Sequence, residues 1–155
     1  MKKWVVYLIN ILIPLGVGAL SAFVTMDGME WFNGANKPPF TPPDIVFPIV
    51  WSILYTLMGI SMALCYTSGG TVTDKSYSII FYALQLAFNF CWSLIFFNIR
   101  AYLLAFVWII LLIALVLAMI YFFKKCSKVS AYLQIPYVLW LFVAAYLNLG
   151  VYLLN

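Results

Sequence analysis

Histidine does not occur among the 155 residues. Its absence removes His-based zinc and haem ligation, the usual general base and the Ser-His-Asp triad. Charge is nearly as scarce, with 8 Lys and Arg against 4 Asp and Glu. A water-soluble domain of this length would need far more polar surface. Cysteine is limited to Cys65, Cys91 and Cys126, an odd and widely spaced set with no CxxC, so no disulfide framework is encoded. The apolar–polar alternation of barrel strands is also missing. No linker or low-complexity segment divides the chain, and 1–155 reads as a single domain.

What is present is apolar: 67% of residues are hydrophobic and the mean hydropathy is +1.10. A helix crossing the roughly 30 Å hydrocarbon core needs about 20 mostly apolar residues. Five stretches meet that length: about Trp4–Thr25, Ile45–Tyr66, Tyr77–Phe97, Ala101–Phe123 and Ala131–Leu154. The expected fold class is an all-α membrane protein, a five-transmembrane-helix bundle. None of the stretches carries Asp, Glu, Lys or Arg well inside it. Pumps, voltage sensors and ion-coupled transporters need such groups, so those classes are disfavoured. Five helices also give no even split into inverted repeats.

The first stretch follows Lys2-Lys3 as a signal peptide would, but it is longer than a signal's apolar region and is read as a span. Lys2, Lys3, Lys75, Lys124, Lys125 and Lys128 fall on the N-terminal side, against Lys37 and Arg100 on the other. The excess of Lys on one side predicts a cytoplasmic N-terminus and an outer first loop. A bacterial plasma membrane is the expected host, from the short Lys-Lys start. The net charge of +4 is thus topology, and no nucleic-acid partner is expected.

The first loop, 26–43, packs Pro38, Pro39, Pro42 and Pro43 beside Trp31, Phe32 and Phe40. Proline fixes φ, so such a loop can be rigid without being a helix or strand. Its aromatics can form an interfacial belt or a shaped lid over the bundle; the prolines favour the lid. In the third span Gln85 and Asn89 lie four apart on one face, and Trp92, Ser93 and Phe96 continue it. Amides in hydrocarbon must find partners, so this stripe points inward. Interhelical bonding is its commoner use and ligand contact the alternative.

Pro136, Trp140, Ala144, Asn148 and Tyr152 form a second stripe on the fifth span. Pro136 is expected to free a carbonyl near the helix start. A small residue one turn from an indole either receives a neighbouring helix or leaves a slot for a flat ligand. The second span offers Trp51, Tyr55, Met58 or Gly59, and Met62 along one side. Trp108 is the only indole of the fourth, which reads as a lipid-facing or packing helix.

The run from Trp31-Phe32 through Lys37-Pro38-Pro39-Phe40-Thr41-Pro42-Pro43, then Phe47-Pro48 to Trp51 and Leu54-Tyr55 to Gly59, resembles the TspO/MBR family. Gln85 to Asn89, Trp92 to Phe97, Pro136-Tyr137, Trp140, Ala144 and Leu147-Asn148 extend the resemblance over nearly the whole chain. It implies five helices, a ligand pocket under the first loop, and often a homodimer. It further implies binding of porphyrins, notably protoporphyrin IX, and of isoquinoline carboxamide and benzodiazepine ligands, and in eukaryotic members cholesterol. Some bacterial members degrade protoporphyrin in light, with pocket tryptophans implicated.

By that resemblance Trp51 and Trp140 match the pocket tryptophans and carry the photochemical role. Ala144 matches the small lining residue, Asn89 the asparagine of the third helix, and Trp31 the loop tryptophan. Phe32, Phe40 and Phe90 depart from the family's frequent Tyr, Trp and Trp. Leu149 and Leu153 stand where the sterol motif has Tyr and a basic residue.

The expected ligand contacts are Trp31, Phe40, Trp51, Tyr55, Gln85, Phe88, Asn89, Phe90, Trp92, Trp140, Ala144 and Asn148. A porphyrin would lie between Trp51, Trp140 and Phe88 or Phe90, with Lys37 the nearest cation for its propionates. It would be a ligand or substrate, and no resident cofactor or metal is expected. A tetrapyrrole sensor or scavenger is the leading function, and any light-driven breakdown would proceed without acid–base residues. A shuttle for lipids or other apolar molecules and a membrane interaction protein are the alternatives.

Overall fold

The computed structural model describes residues 1–155. Its elements in chain order are α1 (Lys3–Val24), α2 (Met26–Asn33), α3 (Val46–Thr67), α4 (Val72–Ser93), a π-helical turn (Leu94–Ile99), α5 (Tyr102–Cys126), α6 (Lys128–Tyr132) and α7 (Ile135–Leu154). Five segments are long and apolar enough to cross a membrane: Lys3–Val24, Val46–Thr67, Val72–Ile99, Tyr102–Cys126 and Lys128–Leu154. The protein is an all-α integral membrane bundle.

Three boundaries differ from the sequence reading. The first loop is half helical, because Met26–Asn33 holds no proline and continues from α1 after the break at Thr25. α4 starts at Val72 rather than Tyr77. Thr71 caps it, accepting from the Asp74 N–H at 3.1 Å and donating to Asp74 Oδ2 at 2.7 Å. The last span is interrupted at Leu133–Gln134, so Pro136 sits in the first turn of α7. A proline there removes no intrahelical bond, so no carbonyl is freed by it.

α5 is a packing helix on one face and exposed on the other, where Leu103, Leu104, Val107, Leu111 and Leu117 lie. Ala105, Ile109, Leu112, Val116, Met119 and Phe123 are fully buried along it, and α4 and α7 flank it. α1 lies on the outside against α3, where Gly59 leaves room for the backbone of Asn10 and Ile11 and Gly18 for the Tyr55 ring. Any Cβ at Gly59 would collide with that backbone.

The amides tie the helices together. Asn89 Nδ2 donates to Tyr137 Oη at 2.8 Å, Tyr137 Oη donates to Gln85 Oε1 at 2.7 Å, and Tyr55 Oη donates to Asn89 Oδ1 at 3.1 Å. Closer to the Lys-rich end, Gln134 Nε2 donates to Ser61 Oγ at 2.7 Å and Ser130 Oγ to the Ser61 carbonyl at 2.6 Å. With no water to compete, such bonds set which faces of α3, α4 and α7 meet.

Candidate functional site

The lid half of the bundle encloses a cavity of about 500 Å³. Two indoles dominate it. Trp51 of α3 stacks on Tyr55 at 5.4 Å and meets the edge of Tyr137 at 6.2 Å. Trp140 of α7 meets Phe47 edge-to-face at 5.7 Å. Ala144, one turn beyond Trp140, and Leu147 continue the α7 wall. Trp92, Ser93, Phe96 and Phe97 supply the α4 wall, and Phe32 and Asn33 of α2 form the roof.

Each wall is held from behind. Trp92 Nε1 donates to Asn148 Oδ1 at 3.0 Å, and Asn148 Nδ2 donates to the Tyr102 carbonyl at 2.8 Å. The ring of Phe32 contacts Phe96 and Phe97, each at 5.6 Å. Gly28 lets α2 lie directly on the Phe97 backbone, where any side chain would clash. The lid beyond α2 is pinned to α7. Tyr146 Oη donates to the Pro39 carbonyl at 2.7 Å, Asn155 Nδ2 donates to the Asn36 carbonyl at 2.8 Å, and Pro38 fills the space beside Gly150.

Of the expected contacts, the structure brings Trp51, Tyr55, Trp92, Trp140 and Ala144 around one cavity. Gln85, Asn89 and Asn148 stand one layer behind, holding the tyrosines and Trp92. Trp31 lies outside the roof, stacked on Tyr102 at 5.9 Å with the Arg100 guanidinium 4.6 Å from its ring. Phe40 is 95% exposed, on a left-handed turn with φ 64°. Phe88 faces elsewhere, stacked on Trp108 at 4.5 Å, and Phe90 lines a separate apolar furrow between α1 and α4.

The third wall therefore comes from Trp92, Phe96 and Phe97 rather than from Phe88 or Phe90. Phe96 continues the inward stripe that its spacing predicts, and the π turn at Leu94–Ile99 adds Phe97, which the spacing does not announce.

The chemistry of the walls is aromatic. Asp44 is the only ionisable carboxylate or amine group among them. Trp140 Nε1 is buried and has no hydrogen-bond partner, an unusual state for an indole N–H. The arrangement suits a flat apolar body with a few polar substituents. It holds no nucleophile–base pair and no cluster of metal-ligating side chains.

The model of the TspO/MBR family matches residues 10–154. The chain belongs to this family. The tryptophan-rich protein TspO of Archaeoglobus fulgidus is 37% identical over 148 residues, 94% of each chain. A protein of the same name from Chlorobaculum tepidum is 32% identical over 142 residues, covering 91% of this chain and 90% of its own. The human translocator protein is 34% identical over 135 residues, covering 86% and 80% respectively.

Proposed function

We propose that this membrane protein is a sensor or scavenger of tetrapyrroles, with protoporphyrin IX as the type ligand. The observation that carries the reading is the pair of indoles, Trp51 and Trp140, facing one apolar cavity beside Ala144. A macrocycle would stack on these rings, each aromatic pair adding about 0.5–1.5 kcal/mol beyond area burial. In light, an excited porphyrin beside an indole can take an electron from it or pass energy to oxygen, and breakdown would follow without an acid–base residue. The names of relatives, a tryptophan-rich sensory protein and a translocator protein, agree with a sensory or translocating role. A homodimer in a bacterial plasma membrane, N-terminus in the cytoplasm, completes the proposal.

A second reading rests on a separate observation. Ala19, Ala22, Pro48 and Ser52 line the cavity and are also exposed, so it opens sideways between α1 and α3. That opening suits a shuttle taking apolar molecules from the bilayer.

The test is dark titration of the detergent-solubilised protein with protoporphyrin IX, read by tryptophan quenching. Saturable quenching that weakens at least tenfold in Trp51→Phe/Trp140→Phe, but not in Trp108→Phe, supports the site. No saturable quenching in the unmodified protein sinks the tetrapyrrole reading and leaves the shuttle. Net flux of an apolar cargo between liposomes would then favour the shuttle.

A further inference from the structure

At the rim of the cavity an ammonium group is held with capacity to spare. The Lys37 side chain is only 18% exposed, although it belongs to the lid segment. Its Nζ donates to the Asn33 carbonyl at 3.3 Å and lies 4.7 Å from the centre of the Phe32 ring. The nearest anion is Asp44 Oδ1 at 3.9 Å, within ion-pair range but beyond a hydrogen bond. An ammonium has three donors, and the Asn33 carbonyl takes one. All three neighbours of Nζ, namely Phe32, Asn33 and Asp44, belong to the cavity wall.

Lys37 does not itself line the cavity, but a cation covered by an aromatic ring, lightly paired and set beside the rim of an apolar cavity, can receive an anion. Asp44 is the weaker claimant on it, being 61% exposed and free to turn to water. The other charged groups on this side lie elsewhere. Asp27 and Glu30 project from exposed positions of α2, and Arg100 is engaged on the Trp31 ring.

We infer that Lys37 reads a carboxylate on the cavity's ligand and that Asp44 holds its place until that carboxylate arrives. Binding exchanges one partner for another. The ligand's acid takes the two free N–H directions of Lys37, and Asp44 swings into solvent. The occupant is therefore a flat apolar body with at least one carboxylate at the end that faces the lid. The inference rests on the reading of the cavity as a ligand site and adds its selectivity.

The exchange gives the two residues opposite signs. Lys37→Met should weaken protoporphyrin IX about tenfold, the scale of a lost charge-assisted hydrogen bond, and should leave its dimethyl ester within about twofold. Asp44→Asn, which keeps the shape of the rim, should tighten the acid about threefold by removing its competitor, again without effect on the ester. Lys37→Arg should retain the preference for the acid. Equal losses for acid and ester in Lys37→Met, or an unchanged acid affinity in Asp44→Asn, would overturn the assignment.

If the unmodified protein binds neither porphyrin, the tetrapyrrole reading falls by itself. Pyrenebutyric acid against its methyl ester then tests Lys37 alone. A preference for the acid that Lys37→Met abolishes upholds the assignment, and equal affinity for the two pyrenes overturns it.

Discussion

Around Gln85 and Tyr137 the core between α3, α4, α5 and α7 is closed, and the apolar furrow of this end runs outside it, between α1 and α4. Met58, Gln85, Ile109, Leu112, Tyr137 and Leu141 are each at most 1% exposed, and Tyr55, Gln85, Asn89 and Tyr137 bond to one another. Some turns nearer the lid, the same helices stand apart around a cavity of about 500 Å³. There the buried Trp140 Nε1 has no partner and Lys37 is only partly engaged. The two regions share helices, composition and lipid surroundings. They differ in whether side chains from opposite helices reach one another. Where they do, polar groups hold the fold; where Ala144 leaves them short, apolar space remains. The contrast is not complete, since Gln134 Oε1 also lacks a partner in the closed region.

The largest expected effect tests the closed packing that both regions depend on. Gly59→Val would drive a branched side chain into the Asn10 and Ile11 backbone of α1. Backbone cannot yield as a flexible side chain can, so the cost should exceed about 3 kcal/mol. A lost monodisperse peak, or a thermal midpoint lowered by roughly 10 °C or more, is the expected readout. A variant of unchanged stability would mean that α1 is not seated on α3 as described.

Next comes a crossover between the regions. Tyr137→Phe strips Asn89 of an acceptor and Gln85 of a donor without changing shape. In membrane bundles such bonds are worth about 0.6–2 kcal/mol, and thermal or SDS unfolding should show a loss of that order. Ala144→Phe acts on the other region. It fills cavity space beside Trp140, so it should cost little stability and weaken protoporphyrin IX more than about tenfold. The comparison breaks if Ala144→Phe unfolds the protein as Tyr137→Phe does, or if Tyr137→Phe is the variant that abolishes binding at full stability.

The closed region was the more legible of the two in the sequence. Five spans could be read because hydrocarbon demands unbroken apolar runs of a fixed length. The Gln85–Asn89 stripe could be placed inward because an amide facing lipid is costly. Trp51, Trp140 and Ala144 were marked as pocket residues by the family resemblance, since size and spacing alone left a helix–helix contact open. The lid side was harder. α2 was missed because its polar residues and the prolines after it read as loop. The early start of α4 escapes the apolar pattern because Thr71–Ser76 holds a single apolar residue, Val72, although Thr71 three residues before Asp74 is a helix-start signal. Phe96 was legible as part of the Gln85–Asn89 stripe, whereas Phe97 joins the wall through the π turn, which no residue pattern marks.

The smallest expected effect concerns how a ligand reaches the cavity. Asn155 bridges the lid to α7 from an exposed position, accepting from the Asn36 N–H at 3.3 Å and donating to the Asn36 carbonyl at 2.8 Å. Exposed bonds of this kind exchange readily with water, so Asn155→Ala should cost no more than about 0.5 kcal/mol. Tyr146→Phe, which frees the Pro39 carbonyl, should act in the same direction. Equilibrium affinity would barely register either change. Rates would, if the lid is the door: loosening both fastenings should speed quenching onset and release about two- to threefold at nearly constant Kd. Stopped-flow quenching of the double variant decides the matter. Unchanged rates would mean that traffic passes between α1 and α3, where Ala19, Ala22 and Ser52 border the cavity from the lipid side. Ala22→Leu should then slow both phases while leaving the lid untouched.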